Sequence, residues 1–155
     1  MLKKLLTTLL LTLTITTPAL ADNIGDYKVV YTDSQINGKE RTMGNVNYED
    51  KIITIKTNAK DTPQHILLHE QAHILDRYFD EILQEEAGGK YSYEVEFMKI
   101  FEEEASKSGL RDYYTKEDSE NEFFAECYAY YKDNPAYLKE NCPNTYNFMQ
   151  KNFKK

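Results

Sequence analysis

Two histidines separated by three residues, with a glutamate directly after the first, constrain one segment of this chain more than anything else in it. The segment is Ile66-Leu67-Leu68-His69-Glu70-Gln71-Ala72-His73-Ile74-Leu75-Asp76. Four residues of α-helix turn through about 400°, so in a helix His69 and His73 lie one turn apart on one face and can aim two imidazole nitrogens at one ion. The flanks agree with a helix. Asp61-Thr62-Pro63 offers a capping residue with proline close to the first helical position. Ile66, Leu67, Ala72, Ile74, Leu75 and Tyr78 then recur at helical spacing, which predicts a helix over 63–80.

His-Glu-x-x-His on a helix has a chemical reading. Two imidazoles hold a zinc ion that lowers the pKa of a bound water towards ~7, and Glu70, beside the first ligand, takes the proton as general base. The chain has three histidines, and the third, His65, also lies four residues from His69. It cannot share the ion, because eight residues separate it from His73, roughly 12 Å of helix rise against ligand bonds of ~2.1 Å. His65 reads as a structural or surface residue near the helix start. A further ligand must therefore be a carboxylate from elsewhere.

The segment Glu120-Asn121-Glu122-Phe123-Phe124-Ala125-Glu126 supplies candidates. Phe123, Phe124, Cys127, Tyr130 and Tyr131 form an apolar stripe on a helix expected over 119–132, and Glu122 and Glu126 sit one turn apart beside it. Such a pair suits one ligand and one partner that orients a ligating histidine through its other nitrogen. Spacing does not say which is which. Ser119 and Glu122 also fit a capping box, which needs no metal.

The remaining chain reads as α+β. Tyr27 to Thr32 and Met43 to Thr57 are rich in Val, Ile, Tyr and Thr, and Glu49-Asp50 divides the second into a hairpin, while Asn37-Gly38 marks an earlier turn. Helices are expected over 92–107, with Gly109 as a stop, and over 135–140 and 144–153. Strands first and helices after place the sheet in the N-terminal part and the metal-binding residues in the helical part.

The first 21 residues have the anatomy of an export signal: Lys3 and Lys4, a mostly apolar run from Leu5 to Thr17, and Ala19-Leu20-Ala21 as cleavage site. The threonine-interrupted run falls short of the roughly 20 apolar residues that span a bilayer. Residues 22–155 then form one domain, expected to be secreted, monomeric and free of the membrane. Without the two lysines, 17 basic residues stand against 26 acidic ones, a formal charge of −9, which disfavours a nucleic-acid partner. Cys127 and Cys142 allow one intramolecular disulfide in an oxidising compartment, and two buried or free thiols equally.

The words Leu68-His69-Glu70-Gln71-Ala72-His73-Ile74-Leu75-Asp76 and Asn121-Glu122-Phe123-Phe124-Ala125-Glu126, with a weaker echo in Asn141-Cys142-Pro143-Asn144-Thr145-Tyr146-Asn147-Phe148, resemble the catalytic domain of anthrax lethal factor and the related secreted clostridial Pro-Pro endopeptidases. The resemblance covers roughly residues 60–153. It implies a zincin-like, gluzincin-like metallopeptidase core with zinc held by His69, His73 and Glu122. It leaves Glu126 to orient a histidine, and it assigns the oxyanion-stabilising hydrogen bond to a tyrosine before the ligand glutamate, Tyr114 in preference to Tyr113. With 134 residues left after cleavage (155 minus 21), the chain resembles the catalytic core alone.

The expected activity is zinc-dependent hydrolysis of a protein or peptide held in extended conformation, with the strand Ile52 to Thr57 expected along the cleft. Two other readings stay open: a zinc-retaining secreted binding protein that cleaves nothing, and a zinc hydrolase of non-peptide bonds in cell-wall material.

Overall fold

A computed structural model describes residues 25–39, 42–78, 92–108 and 119–153. The expected signal segment 1–21 and the candidate tyrosines Tyr113 and Tyr114 lie outside the described residues.

Three short strands come first: β1 (Lys28–Thr32), β2 (Gly44–Asn47) and β3 (Ile52–Lys56). Between β1 and β2, Asn37 and Gly38 both take positive φ, 52° and 70°, and a bridge joins Ile36 to Lys39. Asn-Gly is the pair that tolerates that conformation in a two-residue turn. The β2–β3 hairpin closes on Asn47, whose Oδ1 accepts from the amides of Glu49 and Asp50 at 3.1 and 3.0 Å. The sheet order is β1-β3-β2, with β1 parallel and β2 antiparallel to β3.

That order corrects one expectation. Residues 52–56 form the middle strand, hydrogen-bonded along both edges, so this strand has no edge to offer an extended ligand. The strand that borders the His-Glu-x-x-His helix and has one unpaired edge among the described residues is β2.

Five helices follow among the described residues: α1 (Pro63–Tyr78), α2 (Ser92–Glu104), α3 (Ser119–Asp133), α4 (Pro135–Asn141) and α5 (Pro143–Asn152). Thr62 caps α1, its Oγ1 accepting from the His65 amide at 3.2 Å. Pro63, Pro135 and Pro143 each open a helix where the missing N–H would have had no partner. Asn134 caps α4 by accepting from the Tyr137 amide at 3.3 Å. The molecule is thus α+β, as its order of elements predicts.

Helix α1 divides the interior. Its Ile66 and Ile74 join Ile53 and Ile55 under the sheet, while its Ala72 and Leu75 join Phe97, Phe123, Phe124, Leu138, Phe148 and Met149 among the helices. Arg77 at the far end lays its guanidinium 4.4 Å from the centre of the Tyr48 ring, tying α1 to the hairpin turn. Cys127 and Cys142 are both fully buried free thiols in this structure, their sulfurs in hydrogen-bonding contact, and burial pushes the Cys127 thiol well above its ordinary range. No helix among the described residues is long and apolar enough to cross a membrane.

Candidate metal centre

Helices α1 and α3 lie against each other, and the polar face of each is turned to the other. His69 Nε2 is 3.1 Å from His73 Nε2 and 3.1 Å from Glu122 Oε2, and His73 Nε2 is 3.6 Å from Glu122 Oε1. The two rings meet nearly at right angles, 78°, with centroids 4.9 Å apart. An ion bound tetrahedrally at ~2.0–2.1 Å needs donors about 3.3 Å from one another; the His69–His73 and His69–Glu122 Oε2 separations lie just below that value, and His73 meets the other oxygen of the same carboxylate, Oε1, just above it. Two imidazole nitrogens and one carboxylate oxygen, all partly buried and within 4.8 Å of one another, therefore fit a tetrahedral ion with one position left over.

Glu126, one turn beyond Glu122, turns to the other side of the same imidazole. Its Oε2 is 3.1 Å from His69 Nδ1. The two glutamates that sequence spacing left equivalent are therefore distinct in space, Glu122 among the Nε2 atoms and Glu126 at the Nδ1 that an Nε2 ligand leaves free.

Glu70 reaches the sheet. Its side chain packs on Gly44 at the start of β2, where an added Cβ would run into Oε1 and stand 2.7 Å from Cγ and 2.8 Å from Cδ. Only a residue without a side chain leaves that space. Glu70 is 7% exposed, and burial raises its carboxyl from 4.5 to about 7, the charge of His69 opposing and that of Glu122 assisting. A carboxylate poised near neutrality suits a proton acceptor.

The other charges follow the same logic. Burial works to raise Glu126, but its hydrogen bonds to His65 and His69 prevail and hold it at about 2. Burial likewise opposes the lowering of Glu122, which comes from its hydrogen bond to His69 and the charge of His73. Burial disfavours the charged form of His69, yet its hydrogen bonds to Glu122 and Glu126 and the charge of Glu70 push it to about 10. The negative field that holds a proton there would equally hold a divalent cation, and the two compete for the same nitrogen.

Of the residues singled out by sequence, His69, His73, Glu122 and Glu126 meet between the two helices, and Glu70, next to His69 in the chain, lies against Gly44. Sequence reasoning passed over Gly44, although an isolated glycine in a strand is a known sign of close approach by another group. It read His65 as a structural or surface residue, and the ring is buried between Glu126 and Asp133.

No curated protein matches the chain. The family model described as anthrax toxin lethal factor, N- and C-terminal domain, matches residues 11–152, a span that includes the whole of both facing helices. The chain belongs to the anthrax lethal factor domain family.

Proposed function

We propose that this chain is a secreted zinc-dependent endopeptidase with a zincin-like core, in which His69, His73 and Glu122 hold zinc and Glu70 is the general base. The observation that carries the reading is that His69 Nε2, His73 Nε2 and the two oxygens of the Glu122 carboxylate come within 3.1 to 3.6 Å of one another across the two helices, with the buried carboxyl of Glu70, next to His69 in the chain, not among them. Bound zinc supplies Lewis acidity, lowering the pKa of water towards ~7 and favouring negative charge on a substrate carbonyl oxygen.

The chain's own groups supply the rest. Glu70 accepts a proton from the attacking water and returns it to the leaving nitrogen, its side chain occupying the space that the missing side chain of Gly44 leaves. Glu126 accepts from His69 Nδ1–H and so keeps Nε2 available as a ligand atom. The outer edge of β2, next to Glu70, is where an extended peptide could add a strand through main-chain hydrogen bonds. Tyr114 is assigned the hydrogen bond to the oxyanion on the family resemblance alone. Export through the 1–21 signal and action as a monomer belong to the same reading.

Cleavage of a peptide library with and without a chelator, alongside the zinc content of the chain, tests it. The expected result is one zinc per chain, metal-dependent cleavage, and a Glu70→Gln variant that keeps its zinc but loses at least about 10²-fold in turnover, the low end for a general base. Stoichiometric zinc with no cleavage would favour a binding protein, and cleavage indifferent to Glu70→Gln would remove the base assignment.

A further inference from the structure

Beyond the donors and the base, a run of polar contacts continues between α1 and α3 that hydrolysis as described does not use. The helices run antiparallel here: as the chain steps back along α1 from His73 to His69 to His65, it meets Glu122, Glu126 and Asp133 in turn on α3. His65 Nε2 is 3.2 Å from Glu126 Oε1, and His65 Nδ1 is 2.7 Å from Asp133 Oδ2. The ring edge rests against Tyr130, centroids 4.7 Å apart. His65 as a whole is 8% exposed. Glu126 is thus shared, one oxygen on His65 and the other on His69.

We propose that His65, clamped by Asp133, is a positioning residue that fixes Glu126 as the hydrogen-bond acceptor of His69 Nδ1–H and thereby presets His69 Nε2 to bind the metal. This rests on the reading of His69, His73 and Glu122 as a zinc site.

Three considerations carry the inference. A neutral imidazole has one donor and one acceptor, so a ring flanked by carboxylates on both nitrogens satisfies both only by donating twice, as imidazolium. With that positive charge on its far oxygen, Glu126 is partly neutralised and committed, and it does not rival Glu122 for the ion. A long glutamate side chain has many rotamers, and anchoring one oxygen removes most of them before His69 is engaged. Finally, His65 lies in the first turn of α1 and Asp133 in the last turn of α3, the ends where the helix dipoles disfavour a cation and an anion respectively. Local helix energetics do not explain the pair; each charge gains from the other and from Glu126.

Zinc affinity of the full chain, measured by competition with a chromophoric chelator, decides the question. The panel is wild type, His65→Phe, which keeps the ring contact with Tyr130 but has no donor, His65→Gln, which restores a donor, and Asp133→Asn. Circular dichroism and thermal melts of the chelator-treated proteins establish folding. His65→Phe is expected to bind zinc about 10-fold more weakly, the low end for groups that orient a ligand, with KM for a cleaved peptide unchanged at saturating zinc. His65→Gln should recover much of the loss and Asp133→Asn should show a smaller one.

A folded His65→Phe that binds zinc as wild type does would overturn the proposal, as would a Gln variant as impaired as the Phe variant. If His65→Phe does not fold, an undiminished zinc affinity in Asp133→Asn overturns it instead. A wild-type chain that takes up no zinc removes the metal-site reading itself, and the proposal with it.

Discussion

At Gly44 a missing side chain makes room for the carboxyl of Glu70, the proposed general base. Because an added Cβ would stand 2.7 Å from Glu70 Cγ, Gly44→Ala must displace the carboxylate rather than merely crowd it. A displacement of the order of 1 Å can cost about 10²-fold in rate, so Gly44→Ala should lower kcat by about that factor while zinc content stays at the wild-type value. Steady-state kinetics with metal analysis checks this, and wild-type turnover in the variant would show that Glu70 is not held there. At this scale much was legible beforehand. The four-residue spacings of His69 and His73, and of Glu122 and Glu126, translate directly into one helix face each. What spacing could not decide is which carboxylate meets which nitrogen, since that depends on how α1 and α3 dock. His65 shows the same limit: its partner Asp133 is 68 residues away in sequence.

Among the elements, α5 depends on a residue from another helix. It begins at Pro143 with no side-chain cap of its own, and the need is met by Glu104 at the end of α2. The Glu104 carboxylate accepts from the amides of Asn144 and Thr145 at 2.8 and 2.9 Å and from the Thr145 hydroxyl at 2.7 Å. Glu104 is 5% exposed and Thr145 is fully buried, so Glu104→Ala leaves buried donors unpaired and should destabilise the fold by about 2–3 kcal/mol. Denaturant unfolding measures it; Glu104→Gln, which keeps an acceptor, should lose less. Among the described residues the individual strands and helices were readable from periodicity, capping and proline, with ends off by one to three residues where fraying makes them arbitrary. The side of the hairpin on which β1 would pair was not readable, because that choice is made by the burial of Ile53 and Ile55 beneath α1, not by any local signal.

For the molecule as a whole, the paired charges between α1 and α3 define a pH interval. His65 is raised from 6.5 to about 9, burial opposing and its bonds to Glu126 and Asp133 prevailing. A raised pKa means the folded state holds the proton more tightly, so this stabilisation is complete below 6.5 and fades as pH climbs through about 9. Glu126 behaves oppositely: lowered from 4.5 to about 2, it contributes fully above 4.5 and is lost as pH falls through about 2. Both act in full only between 4.5 and 6.5. The stability difference between wild type and His65→Phe, from urea unfolding of chelator-treated protein, should be greatest in that interval and shrink towards pH 9 to 10. A difference flat from pH 5 to 10 would contradict the assignment. The strand order carries a different kind of consequence, one of timing. Among the described residues β1 and β2 share no pairing with each other, and each bonds only to β3, the last of the three to be synthesised. As the chain leaves the ribosome, the first two strands therefore have no pairing partner until Ile52–Lys56 emerges, and α1, which carries His69 and His73, follows within a few residues. The sheet and the helix that covers it become able to form almost together, which shortens the time for which bare strand edges are open to other nascent chains.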